Sequence, residues 1–440
     1  MRYGRVAAIV CSLVVACVAP AAPVATTPTP AASATATNGL DATPSPEIAQ
    51  DGSARFEVTY FSAPAPGLPA VSSYMTTIDF NHDGRPDIVL AWDYRRGGGF
   101  LQALRNDGAG HFVDATAQVF KAAENSIELA RNFAVADFNG DGLPDLAIAD
   151  SGLDDPPFPG AQSRLFIGTS SGQLLDETAS RLPHVNAFTH DVCAGDVDSD
   201  GDADLYLSNL DSHGPALYLN DGTAHFSAIT DRLPVPVASR AMAYTACRFV
   251  DVDEDGDLDL VLGPLQSGNA SRDLLLLNDG KGRFTAAPAQ AMPIRPDPND
   301  STIYIEAADF SGDGWPDLLL TTYDPAFTNG KAHLLINQGN GSFADRTDLI
   351  SKQPLSASWF VAARAFQRGS GSLPGFVMGP PPSLLLPTNR TFAGSTYRLF
   401  SGALPSWGDV LPLDVDGDGR TDLFVTTAYG EFAVVRNLGP

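Results

Sequence analysis

The 440-residue sequence is poor in basic residues: 27 Lys and Arg stand against 52 Asp and Glu, which gives a formal net charge of −25. Nucleic-acid binding requires clustered Lys and Arg, so this composition excludes a nucleic-acid partner. Cysteine is scarce as well, with four residues, of which Cys11 and Cys17 lie near the N-terminus. A small scaffold held together by several disulfides is therefore excluded too.

Long hydrophobic runs are also missing. The longest apolar stretch near the N-terminus, residues 6–16, follows two arginines and is shorter than the roughly 20 residues that cross a bilayer. We interpret residues 1–16 as a secretory signal peptide. Its end, Val-Val-Ala-Cys, resembles the lipobox of bacterial lipoproteins, which makes Cys17 the expected lipidation site; ordinary cleavage within 19–25 is the alternative.

Residues 17–50 are rich in Ala, Pro and Thr and contain few large apolar side chains. This composition is typical of a flexible tether rather than of a packed domain. We therefore expect a tether at 17–50 and one folded domain at 51–440, outside the cytoplasm. Membrane contact is expected only through the lipid anchor.

Turn residues are abundant in the chain, with 41 Gly and 34 Pro, which favours an all-β architecture. One acidic nonamer recurs six times, and its first five copies begin 55 to 59 residues apart. The copies are DFNHDGRPD (79–87), DFNGDGLPD (137–145), DVDSDGDAD (196–204), DVDEDGDLD (251–259), DFSGDGWPD (309–317) and DVDGDGRTD (414–422). A damaged copy lies at 363–376, so the chain contains seven units.

Each unit places a short apolar strand before the nonamer and a second strand after it. A third strand then ends in a turn such as Asn-Asp-Gly, which supplies the positive φ of a tight hairpin, and an aromatic residue follows. This pattern predicts seven four-stranded antiparallel sheets arranged as a β-propeller. The last unit stops within its hairpin, and residues 51–58 resemble the missing half. We expect this N-terminal segment to complete the last blade.

The nonamers and the glycine turns resemble FG-GAP (VCBS) repeats, as in the seven-bladed head of integrin α subunits and in many secreted bacterial proteins. The resemblance covers about residues 51–440. It implies a propeller with cation-binding loops on one face and ligand-binding loops on the other. It implies much less about activity.

Positions 1, 3, 5 and 9 of each nonamer carry side-chain oxygens, and position 6 is always Gly. Ca²⁺ prefers six to eight oxygen ligands, so we expect about six structural Ca²⁺ sites, with the position-7 carbonyl added by analogy with EF-hand and integrin-type loops. The expected ligands are Asp79, Asn81, Asp83, Arg85 and Asp87; Asp137, Asn139, Asp141, Leu143 and Asp145; Asp196, Asp198, Asp200, Asp202 and Asp204; Asp251, Asp253, Asp255, Asp257 and Asp259; Asp309, Ser311, Asp313, Trp315 and Asp317; and Asp414, Asp416, Asp418, Arg420 and Asp422.

Two other interpretations of the nonamers were weighed. An EF-hand needs a Glu at position 12 and a flanking helix, whereas Leu90 and Ile148 occupy that position inside expected strands. Ordinary acidic turns remain the alternative, because Asp, Asn and Gly favour turns anyway. We expect the loop with Ser311 to bind its cation most weakly and the damaged loop to bind none.

The face opposite the metal loops should carry the connections that hold a ligand. Amphipathic residues on these connections are Trp92, Tyr94, Arg95, His190, Tyr244, Tyr304, Trp359 and Trp407. We expect a monomeric, non-catalytic binding or scaffold module with an unidentified protein or carbohydrate ligand. The alternative is a lectin or a carbohydrate-active enzyme similar to propeller polysaccharide lyases, with His190, Tyr244 and Arg248; rings packed between blades are the structural alternative.

Two further pairs of residues lie on the expected inner strands. Cys193 lies three residues before its nonamer and Cys247 four before, so on parallel strands they should face oppositely; a disulfide is left open. Arg248 and Glu306 both lie three residues before a nonamer, and we expect an ion pair that lines the channel. The sequence GTSSG (168–172) matches a nucleophile-elbow motif but aligns with a hairpin turn, so it predicts no catalytic serine.

Overall fold

A computed structural model shows the fold of most of the chain. It describes residues 47–48, 55–62, 71–93, 98–234, 237, 243–265, 272–297, 299–326, 329–350, 363–367, 369, 371–378, 383–387, 392, 396–398, 407–427 and 431–439. The expected signal peptide, Cys17 and nearly all of the expected tether lie outside these residues, as do Tyr94, Arg95 and Trp359.

The fold is an all-β propeller of seven antiparallel four-stranded blades, as the repeats predict. The first three blades consist of β3 (Val71–Ile78), β4 (Asp87–Asp93), β5 (Gly99–Asn106) and β6 (Phe112–Asp114); β8 (Ala130–Ala136), β9 (Asp145–Asp150), β11 (Arg164–Gly168) and β12 (Leu174–Asp176); and β14 (Thr189–Gly195), β15 (Asp204–Asn209), β16 (Ala216–Asn220) and β17 (Phe226–Ile229).

The next three blades follow the same order from the inner strand outward. They consist of β18 (Tyr244–Val250), β19 (Asp259–Pro264), β20 (Leu274–Leu277) and β21 (Thr285–Ala286); β22 (Ser301–Ala308), β23 (Asp317–Tyr323), β24 (Gly330–Asn337) and β25 (Phe343–Asp345); and β26 (Ala363–Phe366), β27 (Gly375–Met378), β28 (Ser383–Leu385) and β29 (Thr396–Arg398).

The seventh blade joins the two ends of the chain. Its inner three strands are β30 (Trp407–Leu413), β31 (Asp422–Thr427) and β32 (Glu431–Asn437), and its fourth is β2 (Arg55–Ser62). β2 pairs with β32 from Phe56 opposite Asn437 to Ser62 opposite Glu431. The expected closure by the N-terminal segment is therefore confirmed, and it covers an edge that would otherwise be open to pairing.

Regular structure outside the blades is limited to short pieces in the described residues. These are β1 (Glu47–Ile48), which pairs with β2; β7 (Ser126–Ile127), which pairs with β5; the β10 (Ala161–Gln162) and β13 (Asn186–Ala187) pair; α1 (Thr116–Val119); α2 (Thr178–Arg181); and a 3₁₀ turn at Thr347–Leu349. No helix in the described part of the chain is long and apolar enough to span a membrane.

The hydrophobic core lies between blades. Seven clusters of buried side chains in the described residues each combine apolar residues from two neighbouring blades, including the pair formed by the seventh and first blades. The nonamer's second residue takes part: Phe80, Phe138, Val197, Val252, Phe310 and Val415 are all buried. Burial of these side chains against the next blade links each acidic loop to the core of the ring.

Hydrogen bonds across blade boundaries repeat the same geometry. The Asn that opens a hairpin turn donates from Nδ2 to the carbonyl of the nonamer's second residue in the preceding blade. The pairs are Asn106 with Val415 (2.9 Å), Asn220 with Phe138 (2.7 Å), Asn278 with Val197 (2.7 Å) and Asn337 with Val252 (2.8 Å). Each bond satisfies a buried carbonyl and fixes the distance between two blades.

Cys193 and Cys247 form a disulfide that joins the third and fourth blades, with Cα atoms 6.1 Å apart. The expectation that they face oppositely is wrong. It treated their strands as neighbours in one sheet, where residues of the same parity face the same way. Neighbouring blades instead present opposite sheet faces to each other, so two side chains meet when their distances from the nonamer differ by an odd number of residues. Phe249, two residues before its nonamer and on the same strand face as Cys247, lies in the same cluster as Cys193.

Removal of this disulfide should destabilise the ring. The closed loop spans 54 residues, so the double substitution Cys193→Ala and Cys247→Ala should lower the free energy of unfolding by about 2–4 kcal/mol in denaturant titrations. Peptide mapping of unreduced protein provides the control and should recover the two cysteines in one linked peptide. Alkylation of both thiols in unreduced, unfolded protein would show that the pair does not form.

Candidate metal loops and central cavity

The six acidic nonamers share one loop conformation. Each follows an inner strand, and its ninth residue begins the second strand of the blade. Positions 4 and 6 both have positive φ: His82 and Gly84, Gly140 and Gly142, Ser199 and Gly201, Glu254 and Gly256, Gly312 and Gly314, and Gly417 and Gly419. Sequence reasoning explained the Gly at position 6 but missed position 4, where only three copies carry Gly. Leu90 and Ile148 lie in β4 and β9, as the argument against an EF-hand requires.

Backbone N–H groups converge on the carboxylates of each loop. In all six copies the Gly at position 6 donates to the Asp at position 1, with distances between 2.7 and 3.1 Å. The position-7 N–H donates to the Asp at position 5 in all six as well. The loop is therefore curled so that its odd-numbered side chains turn inward.

The ninth Asp is the most buried member of each loop. Asp87, Asp145, Asp204, Asp259, Asp317 and Asp422 are at most 1% exposed. One oxygen of each accepts the N–H of the residue that opens the hairpin turn, at 2.6 to 2.9 Å. In five of the six the other oxygen accepts an N–H of the nonamer's second or third residue. This carboxylate thus ties the acidic loop to the hairpin of its own blade.

Burial sets the electrostatics of these ninth carboxylates. Desolvation raises the pKa of Asp87, Asp204, Asp259 and Asp422 to about 7, and that of Asp145 and Asp317 to about 6. Backbone N–H donors act in the opposite direction, and the other carboxylates of each loop add to the rise. The ionised form is therefore costly in the protein alone, and a nearby cation would offset that cost.

Three loops bring carboxylates close enough to share one cation. One oxygen from each of three acids lies within 4.8 Å of the others. The groups are Asp196, Asp198 and Asp204 in the third loop; Asp251, Asp253 and Asp255 in the fourth; and Asp414, Asp416 and Asp422 in the seventh. These are the three copies with Asp at position 3.

The same three loops contain carboxylate oxygens that are buried and lack any hydrogen-bond donor. They are Oδ1 of Asp196, Asp198, Asp251, Asp253 and Asp416. A buried carboxylate oxygen with no partner is expensive, and oxygens of this kind in a cluster are the ligands that Ca²⁺ prefers. The donor set of the third, fourth and seventh loops therefore fits a hard divalent cation.

The first, second and fifth loops hold their position-1 carboxylate with a further backbone bond, which the seventh loop also makes, from Asp418 N–H to Asp414 at 3.2 Å. Oδ1 of Asp79, Asp137 and Asp309 accepts the N–H of position 5, at 3.1 Å in each case. With Asn81, Asn139 or Ser311 at position 3, each has one carboxylate fewer. The smaller number of charges predicts weaker cation binding than in the other three loops, although Oδ2 of Asp87 in the first loop is also buried and unpaired.

The damaged sixth loop has an amide where the others have acids. Gln367 Nε2 donates to the carbonyls of Gly369 (3.1 Å) and Ser372 (2.5 Å). These bonds gather loop oxygens around a neutral N–H₂ group, which needs no cation. That the sixth unit binds no metal stays a prediction, and the neutral amide gives it a physical reason.

Position 7 offers only its backbone in the third and fourth loops. The side chains of Asp202 and Asp257 lie over the hairpin glycines Gly222 and Gly280, where a Cβ would meet their oxygens at 2.4 to 2.5 Å. The two glycines also have positive φ, so the hairpin requires Gly on both grounds. The carbonyl of position 7 is left as the donor that could reach a cation.

An arginine links the seventh metal loop to the closing strand. Arg436 Nε contacts Asp416 Oδ2 at 3.0 Å, and Nη1 contacts Glu57 of β2 at 3.2 Å. The other oxygen of Asp416 is the unpaired one in the loop. Attachment of β2 and the orientation of this candidate ligand are therefore connected.

Among the expected ligand-face residues whose side chains are described, two are buried rather than presented on a surface. Trp92 is 1% exposed, donates to Gln102 (2.8 Å) and stacks on Phe100, and Tyr244 is 2% exposed in the cluster between the third and fourth blades. For these two the expectation is wrong, because an indole and a phenol supply the bulk that fills the gap between blades. The side chain of Trp407 is not among those described.

His190 and Tyr304 lie on the inner strands of the third and fifth blades. The His190 ring packs 5.0 Å from Phe188, and burial together with nearby Arg131 holds its pKa well below the usual range. Tyr304 lines a central cavity of about 460 Å³ that is bounded by the inner strands of all seven blades. Arg248 and Glu306 line it too, but they form no ion pair within 4.0 Å in the described structure, so the expected pair is not present.

The fold and the acidic loops together define a class of protein: a seven-bladed propeller whose blades carry acidic loops of the kind that can bind a cation. The profile of the FG-GAP-like repeat matches residues 79–148, 137–207, 196–262 and 251–320. These segments together span residues 79–320, more than half of the chain. The chain therefore belongs to the FG-GAP repeat family.

Comparisons with individual proteins give only distant similarities. No curated protein sequence matches the chain. An Agrocybe aegerita lectin, solved for its recognition of non-reducing terminal N-acetylglucosamine, is 15% identical over 83% of this chain and 94% of its own, with a TM-score of 0.47. Two structures of BBS1N in complex with ARL6DN are each 12% identical, over 87% and 86% of this chain and 97% and 96% of theirs, with TM-scores of 0.48 and 0.49. At these values they carry no argument about function.

Substitution of one candidate ligand should separate metal binding from folding. Asp253→Asn removes a carboxylate from the fourth loop but keeps a side chain that the first two loops already carry at this position. In Ca²⁺ the melting temperature should fall by about 2–4 °C, because one charged ligand is lost, whereas in EGTA it should not fall.

The matched control is Glu254→Gln, which removes one charge from the exposed fourth position of the same loop. It should leave the calcium-dependent part of the melting temperature unchanged. An equal fall for Asp253→Asn in both buffers would assign this residue a purely structural role.

Proposed function

We propose that this protein is an extracytoplasmic, calcium-stabilised propeller that works as a non-catalytic binding or scaffold module. The observation that carries the calcium part is the set of buried, unpartnered carboxylate oxygens in the third, fourth and seventh loops. FG-GAP repeats often bind Ca²⁺, which agrees with this donor set. The cation's role is structural: it neutralises loop carboxylates and holds the curled loop against the blade.

In this proposal about six loops hold Ca²⁺ through positions 1, 3, 5 and 9 and the carbonyl of position 7. Ca²⁺ supplies positive charge and a demand for oxygen ligands when bound. The residues of the chain orient those oxygens: Gly N–H groups fix position 1, and hairpin N–H groups fix position 9. The third, fourth and seventh loops bind most tightly, and the fifth, with Ser311, most weakly.

The proposed location rests on three supports. Residues 1–16 have the features of a signal peptide, ending at a lipobox-like Cys17, and 17–50 have those of a tether. FG-GAP repeats are typical of extracellular proteins. The disulfide between Cys193 and Cys247 favours an oxidising compartment.

The binding part of the proposal rests on the central cavity and the rigid ring around it. Concave sites with a few convergent polar groups are the usual form of ligand sites. Of the residues considered for a lyase-like enzyme, Tyr244 is buried between blades, which favours a binding module over that alternative. In the described residues only Val113 and Ile294 are large exposed hydrophobics, which supports a monomer.

Thermal unfolding in Ca²⁺ and in EGTA tests the structural role of the cation. Each occupied site adds RT ln(1 + [Ca²⁺]/Kd) to stability, so several sites acting together should raise the melting temperature in millimolar Ca²⁺ by about 10 °C or more. Mg²⁺ at the same concentration is the control and should restore little, because it seldom accepts an all-protein cage. Identical melting curves in all three buffers would contradict the proposal.

A further inference from the structure

The central cavity has an unusual lining for a propeller axis, because charged groups project into it from several blades. It occupies about 460 Å³, and its lining includes Asp191, Arg248, Tyr304, Glu306 and Arg364. Which of these charges are already satisfied within the protein determines what the cavity can bind.

Asp191 is fully engaged by the protein itself. Its Oδ1 accepts the Asn132 amide at 2.5 Å and the Val192 N–H at 2.8 Å, and its Oδ2 accepts the Cys247 N–H at 2.8 Å. These bonds cross two blade boundaries. Asp191 is therefore part of the wall, with both of its oxygens accepting N–H groups of the protein.

Arg364 is engaged as well. Its guanidinium forms an ion pair with buried Asp409 at 2.8 Å and lies 5.4 Å from the centre of the Tyr304 ring. The ion pair joins the sixth blade to the seventh, and the ring contact joins the sixth to the fifth. This arginine is thus also used to hold the wall together.

Arg248 and Glu306 are bound less tightly by the rest of the protein than Asp191 and Arg364. In the described structure Arg248 makes no ion pair within 4.0 Å and no side-chain hydrogen bond, although it lines the cavity and is only half-buried. Glu306 accepts two long bonds, from the Tyr304 hydroxyl at 3.3 Å and the Ala365 N–H at 3.5 Å. They belong to neighbouring blades, so a cation without an ion pair and a weakly bonded anion flank the same cavity. The charge of Arg248 also acts on Asp191, whose pKa it lowers.

We infer that the cavity binds a small organic carboxylate that also carries hydroxyl or ammonium donors, with its carboxylate on Arg248 and a donor on Glu306. This inference rests on the proposed binding function and names the ligand class for that site. A guanidinium binds a carboxylate through two parallel N–H donors, and the Arg248 guanidinium has no ion-pair partner of its own within 4.0 Å. The ring of Tyr304, next to Glu306, offers an apolar surface against which the body of the ligand can lie.

Four probes test this ligand class by calorimetric titration of the full-length protein in Ca²⁺. D-galacturonate is compared with D-galactose, which lacks only the carboxylate, and glycylglycine is compared with glycylglycinamide. We expect at least one acidic probe to bind at least about tenfold more tightly than its neutral counterpart, since a charged hydrogen-bonded pair is worth about 1.5–3 kcal/mol.

Two substitutions assign the contacts. Arg248→Gln should lower the affinity for the acidic probe by at least about tenfold and leave any affinity for the neutral probe unchanged. The control Arg105→Gln, at an exposed position of the first blade, should change neither affinity. Glu306→Gln separates the two ligand sources. It should lower the affinity for glycylglycine, which carries an ammonium group, strongly, and the affinity for galacturonate, which carries hydroxyl groups, only slightly.

The outcomes also separate this inference from the proposed function. Equal binding of acidic and neutral probes, or acidic binding that Arg248→Gln leaves intact, would overturn the ligand class but leave a binding propeller. Failure of all four probes to bind would overturn the ligand class as well. An unfolded variant is recognised by its melting curve in Ca²⁺, and the conservative change Arg248→Lys then replaces it, with a smaller loss expected.

Discussion

The buried carboxylate at the ninth position of the nonamer is the interaction on which the rest of the ring depends. It accepts a hydrogen bond from the hairpin of its own blade and, in five of six copies, another from the start of its own loop. The hairpin Asn then reaches back to the preceding blade. An Asp and an Asn together therefore connect loop, hairpin and neighbouring blade, and the full connection is present in the first, third, fourth and fifth blades.

This arrangement has an electrostatic cost that the proposed cations would offset. Six loops concentrate acidic side chains within nine residues each, and burial raises the pKa of every ninth Asp. In the described structure five carboxylate oxygens are buried and unpaired in the three loops with Asp at position 3, against one, Oδ2 of Asp87, in the three loops with Asn or Ser there. The sixth loop avoids the cost by carrying Gln367 instead. The repeats thus share one loop geometry, and under the proposal they differ in how much their stability depends on metal.

Much of the fold could be predicted because the same sequence pattern recurs along the chain, once in each blade. The regular spacing gave the blade count, and the interrupted hairpin at the C-terminus indicated closure by residues near 51–58, which β2 confirms. Features that depend on how two blades face each other could not be read in this way. The parity of Cys193 and Cys247, the burial of Trp92 and the separation of Arg248 from Glu306 are set by packing between blades, about which local sequence contains no direct signal. Position 4 of the nonamer could have been noticed, because three of six copies carry Gly there.

The calcium content of the purified protein tests the central claim most directly. After dialysis against micromolar Ca²⁺, elemental analysis should find about six calcium ions per chain, with the third, fourth and seventh loops the last to empty as free Ca²⁺ is lowered. Protein that is folded but contains no calcium under these conditions would contradict the account, because the buried carboxylate oxygens would then have to be satisfied in another way.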